Sequence, residues 1–148
     1  MLSLREKRLG ELLIEAGLIT EKELEKALDD QRFSNRKLGE VLVRLKYISE
    51  ENLIRFLAKQ HGAVGIDVFR QTVDEKALKL IPKRSAQKHR ILPIGFIKDG
   101  GVIKLAVATS NPNDIATLDE VAFVSGYPVF PVFAKEEDLV VAIKYYYG

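Results

Sequence analysis

One stretch of this sequence is written twice, and that limits the possible folds more than any other feature. Residues 8–31, RLGELLIEAGLITEKELEKALDDQ, return as residues 37–60, KLGEVLVRLKYISEENLIRFLAKQ, with only RFSNR at 32–36 between them. At an offset of 29 residues Leu9 falls on Leu38, Gly10 on Gly39, Glu11 on Glu40, Ile19 on Ile48, Leu24 on Leu53, Leu28 on Leu57 and Gln31 on Gln60. A short repeat of this kind is one supersecondary unit used twice, because a single copy cannot bury its own apolar face.

Each copy divides into two helices at a polar hinge. Leu9, Leu12, Leu13 and Ala16 recur at helical spacing, and Leu24, Leu28 and Gln31 share a face at i, i+4 and i+7. Thr20 with Glu23 reads as a capping box, and Ser49 as an N-cap followed by Glu50 and Glu51 in the first turn, where carboxylates favour the helix dipole. Gly17 is the expected left-handed C-cap of the first helix. Lys46 stands there in the second copy, so that turn is expected to be made differently. Four helices are predicted, near 9–16, 21–33, 37–46 and 50–61, behind an extended or frayed lead over residues 1–7.

After His61-Gly62 the composition shifts. AVGIDVF reads as a short extended connection, VDEKALKL as a helix that stops before Pro82, and Pro82 as the start of another short helix through Lys88. From Arg90 the apolar period becomes that of strands, with residues 91–97 and 102–108 flanking Lys98-Asp99-Gly100-Gly101, a hairpin signal. Asn111-Pro112-Asn113-Asp114 is turn chemistry before a helix over about 115–123 that Ser125-Gly126 ends. Residues 128–134 read as a third strand, placed at an edge or irregularly paired by Pro128 and Pro131, and 136–147 as a last helix. The fold class is therefore α+β: a four-helix tandem-repeat subdomain over 1–65, then a small α+β subdomain over 66–148 with a three-stranded sheet and flanking helices.

Composition excludes several classes of protein. No apolar run approaches the roughly 20 residues of a membrane-spanning helix, and the first ten residues carry no apolar signal-peptide core. There is no cysteine, hence no disulfide framework or thiolate metal site, and a cytoplasmic location is the expectation. The 23 basic and 21 acidic residues are balanced in both halves, which argues against duplex nucleic acid as a partner. His61 and His89 lack neighbouring ligands for a metal and are expected to be solvated or capping; no metal and no cofactor are expected. Asp29-Asp30 reads as a solvated helix face, and Tyr145-Tyr146-Tyr147 as a packed helix end in preference to a partner surface. No Gly-x4-Gly-Lys-Ser/Thr occurs, so no catalysis is expected.

The repeated pattern, Arg-Leu-Gly followed by paired aliphatics, a glycine, two more aliphatics and then Leu-x3-Leu-x2-Gln, resembles the MshEN domain at the N terminus of type II secretion and type IV pilus assembly ATPases. The first copy matches at Arg8, Leu9, Gly10, Leu13, Ile14, Gly17, Leu18, Ile19, Leu24, Leu28 and Gln31; the second departs at Lys37, Lys46 and Tyr47. Leu92-Pro93, residues 105–108, Pro112 and Gly126 are similar to recurring positions of the same N-terminal region. In that family each copy holds one half of a cyclic di-GMP molecule. The resemblance thus implies a cyclic di-GMP receptor whose site is drawn from Arg8, Leu9, Gly10, Leu13, Leu24, Leu28 and Gln31 and from Lys37, Leu38, Gly39, Leu42, Leu53, Leu57 and Gln60.

The chemistry suits such a ligand. A guanidinium at Arg8 can fork onto guanine O6 and N7 or stack on the base, whereas Lys37 offers a point charge. The amides of Gln31 and Gln60 can bond a guanine edge while leucines pack the ring. Leucines at helical spacing equally serve a core, and Gly10 and Gly39, placed in the first turn of their helices, equally serve close helix packing. Two functions follow: a cyclic di-GMP-binding regulatory module, or a docking module that binds no nucleotide and engages a secretion or pilus ATPase or its membrane-platform protein.

Overall fold

Both copies of the repeat become helix pairs. The first forms α1 (Leu4–Glu15) and α2 (Glu21–Gln31), the second α3 (Leu38–Arg44) and α4 (Glu50–Gln60). These come from a computed structural model that describes residues 4–148, and side chains from residue 8 onward. Helix α1 starts earlier than expected: residues 4–7 are helical, not an extended lead, and residues 1–3 lie outside the described residues. Gly10 is therefore well inside α1, and only Gly39 sits in a first turn. Backbone packing divides the chain into two units, Met1–Leu53 and Ile54–Gly148, with the division falling inside α4.

In the first unit the caps form as the residues dictate. Thr20 Oγ1 accepts from the Glu23 amide at 3.1 Å while Glu23 Oε1 accepts from the Thr20 amide at 2.9 Å, closing the capping box. Ser49 Oγ accepts from the Asn52 amide at 3.1 Å. The turn after α1 is a Schellman motif, with the Gly17 amide donating to Ile14 O at 2.9 Å and the Leu18 amide to Leu13 O at 3.0 Å. The second copy repeats it: the Lys46 amide donates to Val43 O and the Tyr47 amide to Leu42 O, both at 3.0 Å. The expectation of a different turn at Lys46 is thus corrected, since Lys46 takes φ 64° where Gly17 takes 72°. Leucine burial on either side overrides the local preference against a left-handed lysine, because Leu13 and Leu42 are fully buried and Ile19 and Ile48 nearly so.

The second unit is built on a sheet ordered β1 (Ile91–Asp99), β2 (Val102–Thr109) and β3 (Val129–Phe133). Gly100 and Gly101 both take positive φ and close the β1–β2 hairpin. A bulge between Pro93 and Gly95 absorbs Ile94 in β1, whose carbonyl accepts from the Asp74 amide at 2.8 Å. Strand β3 runs parallel to β2 and is reached through α7 (Ile115–Ser125). As Pro128 and Pro131 imply, β3 is an edge strand; its far side is partly covered by residues 64–66, where the Phe133 amide donates to Val64 O and the Ile66 amide to Phe133 O, both at 2.8 Å. That connection, expected to be simply extended, continues into a 3-10 turn at Val68–Arg70 begun by Asp67.

Helices α5 (Glu75–Leu80), α6 (Lys83–His89) and α8 (Glu136–Tyr147) complete the unit, with Leu92, Leu105, Val107, Val121 and Leu139 at its centre. Asp114 caps α7 through Thr117, and those two hydrogen bonds, the side-chain one first, hold its carboxyl below its ordinary pKa. Tyr147 packs as expected of a helix end: its hydroxyl reaches Leu78 O at 3.1 Å and Ile81 O at 2.8 Å, and burial pushes its pKa up to about 12. Tyr145 stays exposed.

Candidate functional site

The two copies repeat one helix-to-helix approach, although identical motif residues differ in burial between them. A Cβ built on Gly10 would lie 2.9 Å from Leu24 Cδ1, and one on Gly39 would lie 3.1 Å from Leu53 Cδ2. The missing side chains therefore let α1 meet α2, and α3 meet α4, at the same register of the repeat. Each glycine has its own leucine, and the helix-packing role foreseen for both is present in the structure.

Burial separates the fourteen candidate positions. Leu13, Leu38, Leu42 and Leu53 have essentially no exposed surface, and Gly10 is buried too. Leu9, Leu24, Leu28, Gln31, Gly39 and Leu57 are half-buried, while Arg8, Lys37 and Gln60 are exposed. Leu57 packs with Ile54, Ala58 and Phe133 of the second unit. Arg8 of α1 pairs with Glu11 at 3.8 Å, and both side chains are more than half exposed, so the pair holds it weakly. Lys37 stands at the N-cap of α3 and cannot cap that helix with its side chain. The cations of the two copies thus sit in different surroundings, one within a helix and one before it.

Some features left no mark in the sequence. Gln31 Nε2 donates to the backbone carbonyl of Arg36 at 3.1 Å, tying the end of α2 to the spacer. Asp30, expected on a solvated face, lies 3.9 Å from Arg44 of α3. His89, expected to be solvated or capping, is 13% exposed and meets Glu120 Oε2 at 3.0 Å, and the His61 ring stacks on Phe133 with centroids 5.3 Å apart. The pairings of Asp30, His89 and His61 are long-range, and the Gln31 bond ends on a backbone carbonyl, so none has a side-chain signature nearby. No group of three or more metal-ligating side chains occurs among the described residues.

The model of the MshEN domain family matches residues 61–148, more than half of the chain. The chain belongs to the MshEN family. The family match covers the α+β portion and does not include the tandem motif at residues 8–60. The solved structure of MshE with cyclic di-GMP is similar over both: it is 36% identical, with a TM-score of 0.59 over 94% of this chain and 98% of that one. The N-terminal domain of XpsE, at 23% identity and a TM-score of 0.54, shares the fold. The type IV pilus assembly ATPase PilB of Myxococcus xanthus is 35% identical over 141 residues, covering 95% of this chain and 24% of that protein. PilB of Thermus thermophilus is 30% identical over 147 residues, 16% of its own length. This MshEN chain therefore spans a quarter or less of the pilus ATPases to which it is related. Among the described residues no helix is long and apolar enough to cross a membrane.

Proposed function

We propose that the chain is a cytoplasmic regulatory module that binds cyclic di-GMP and performs no catalysis of its own. The observation that supports this most is the structural repetition of the motif: two copies, each with a helix, a Schellman turn and a capped helix, and each with the same glycine-to-leucine approach. Two similar half-sites suit a ligand with two guanines related by two-fold symmetry. Likeness across the whole chain to MshE, solved with cyclic di-GMP, favours the same ligand class here.

In this reading the buried leucines Leu13, Leu38, Leu42 and Leu53 and buried Gly10 shape the site from beneath. Surface for the ligand comes from Arg8, Leu9, Leu24, Leu28 and Gln31 in the first copy and from Lys37, Gly39, Leu57 and Gln60 in the second. Arg8 supplies a planar fork for a guanine or a phosphate, and Lys37 a single charge. The module would sit in a pilus or secretion ATPase and report the second messenger to it.

A docking module that binds no nucleotide is the second reading. Exposed Ile115 and Phe123 on α7 and exposed Val140, Val141 and Tyr145 on α8 favour it. Amide chemical shifts decide between the two. Titration with cyclic di-GMP should perturb residues 8–60 and spare the exposed positions of α7 and α8; a spectrum that does not respond at millimolar ligand leaves the docking reading.

A further inference from the structure

Of the three repeat helices that follow a turn, two begin alike and one does not. Thr20 caps α2 and Ser49 starts α4, each accepting a backbone amide on its hydroxyl. Helix α3 has Lys37 at its N-cap, in extended conformation and with no side-chain cap. Lysine has no acceptor to offer a helix amide, so the Lys37 side chain does not cap α3 as Thr20 and Ser49 cap their helices.

A bond from the preceding copy reaches the link to α3. Gln31 ends α2, and its Nε2 donates to Arg36 O at 3.1 Å. That carbonyl belongs to the peptide unit whose nitrogen is Lys37, so the bond holds the link from which α3 departs. The intervening residues are an ordered turn: the Phe33 amide donates to Asp30 O at 3.2 Å and the Ser34 amide to Gln31 O at 3.1 Å, and Ser34 Oγ is buried. Gln60, the matching residue of the second copy, has no spacer and third copy to hold and is exposed.

We propose that Gln31 is a positioning residue, a clasp that sets the spacer and through it places the Lys37 ammonium for the second half-site. The clasp rests on the nucleotide reading only for its effect on binding; its effect on the spacer does not. The two glutamines of the motif are thus unequal: Gln31 joins the copies, and Gln60 serves its own copy alone.

Two measurements test this. Without ligand, NMR-detected hydrogen exchange at the Phe33 and Ser34 amides should speed up about fivefold or more in Gln31→Ala, as loss of one neutral hydrogen bond implies, and stay at the parent rate in Gln60→Ala. Circular dichroism of each variant confirms that the helices persist. With cyclic di-GMP, a double-mutant cycle should show that Gln31→Ala and Lys37→Ala lose less affinity together than the product of their separate losses, because the first variant already misplaces Lys37. Losses that multiply fully, or unchanged exchange in Gln31→Ala, overturn the clasp. A parent that binds no cyclic di-GMP removes the nucleotide reading, and the exchange rates then decide the clasp alone.

Discussion

Replacing Lys46 with glycine should stabilise the protein, and the structure supplies the magnitude. Lys46 holds φ 64° in a turn whose two hydrogen bonds duplicate those around Gly17. A left-handed conformation costs an L-residue about 1–2 kcal/mol, and removing the side chain recovers it. Glycine returns about 0.4–1 kcal/mol of that through the greater freedom of its unfolded chain. The net gain is about 0.5–1 kcal/mol, or a rise of roughly 2–3 °C in the midpoint of thermal unfolding followed by helix ellipticity. The reciprocal change, Gly17→Lys, should lower the midpoint by a similar amount. A Cβ at Gly17 meets nothing within 4 Å, so the change tests backbone conformation without a clash. A neutral or destabilising Lys46→Gly together with a harmless Gly17→Lys would refute the equivalence of the two turns.

Alanine at the two packing glycines should separate them. Gly39→Ala meets Leu53 Cδ2 at 3.1 Å, and Leu53 is 1% exposed, so overpacking of about 1–3 kcal/mol should exceed a propensity gain of up to about 1 kcal/mol and leave a net loss of about 1 kcal/mol in urea unfolding. Gly10→Ala meets the movable end of half-buried Leu24, and the gain in helix propensity, close to 1 kcal/mol, should leave it near neutral. Tyr147 has its folded pKa raised by burial from 10.0 to about 12, so the phenol binds its proton more tightly folded than unfolded. Its contribution is full below pH 10 and declines as pH rises toward 12; Tyr147→Phe should flatten that part of a stability-against-pH profile, and an unchanged profile would contradict the assignment. Arg8→Ala should weaken cyclic di-GMP binding about ten- to a hundredfold, the loss of a charged hydrogen bond, and Lys37→Ala by less. Equal losses, or parent-like binding by a folded Arg8→Ala, would argue against the half-site assignment.

What the sequence revealed was side-chain chemistry within a few residues, and what it concealed was depth of burial and bonds to backbone acceptors. The capping box at Thr20 and Glu23, the hairpin glycines, and Pro131 on an edge strand each follow from chemistry within a few residues, and each is present. The left-handed Lys46 was concealed because propensity speaks against it, while burial of Leu42 and Ile48 and the two turn hydrogen bonds outweigh a penalty of about 1–2 kcal/mol. The start of α1 at Leu4 was legible and passed over, since Ser3 followed by Glu6 has the same Ser/Thr-x-x-Glu spacing as Thr20 and Glu23. Among the candidate site residues, periodicity selects Leu13 and Leu28 alike, although one is fully buried and the other half-buried. A heptad-like spacing states which face is apolar and not how deeply each residue lies in it. The bond from Gln31 to Arg36 O ends on a backbone carbonyl, an acceptor that every residue carries.

The regulatory reading stands or falls on calorimetry of the whole chain with cyclic di-GMP, beside GTP and cyclic di-AMP. It predicts saturable heat at one cyclic di-GMP per chain and none with the other two nucleotides. No heat at millimolar cyclic di-GMP, with no rise in the unfolding temperature, would contradict it.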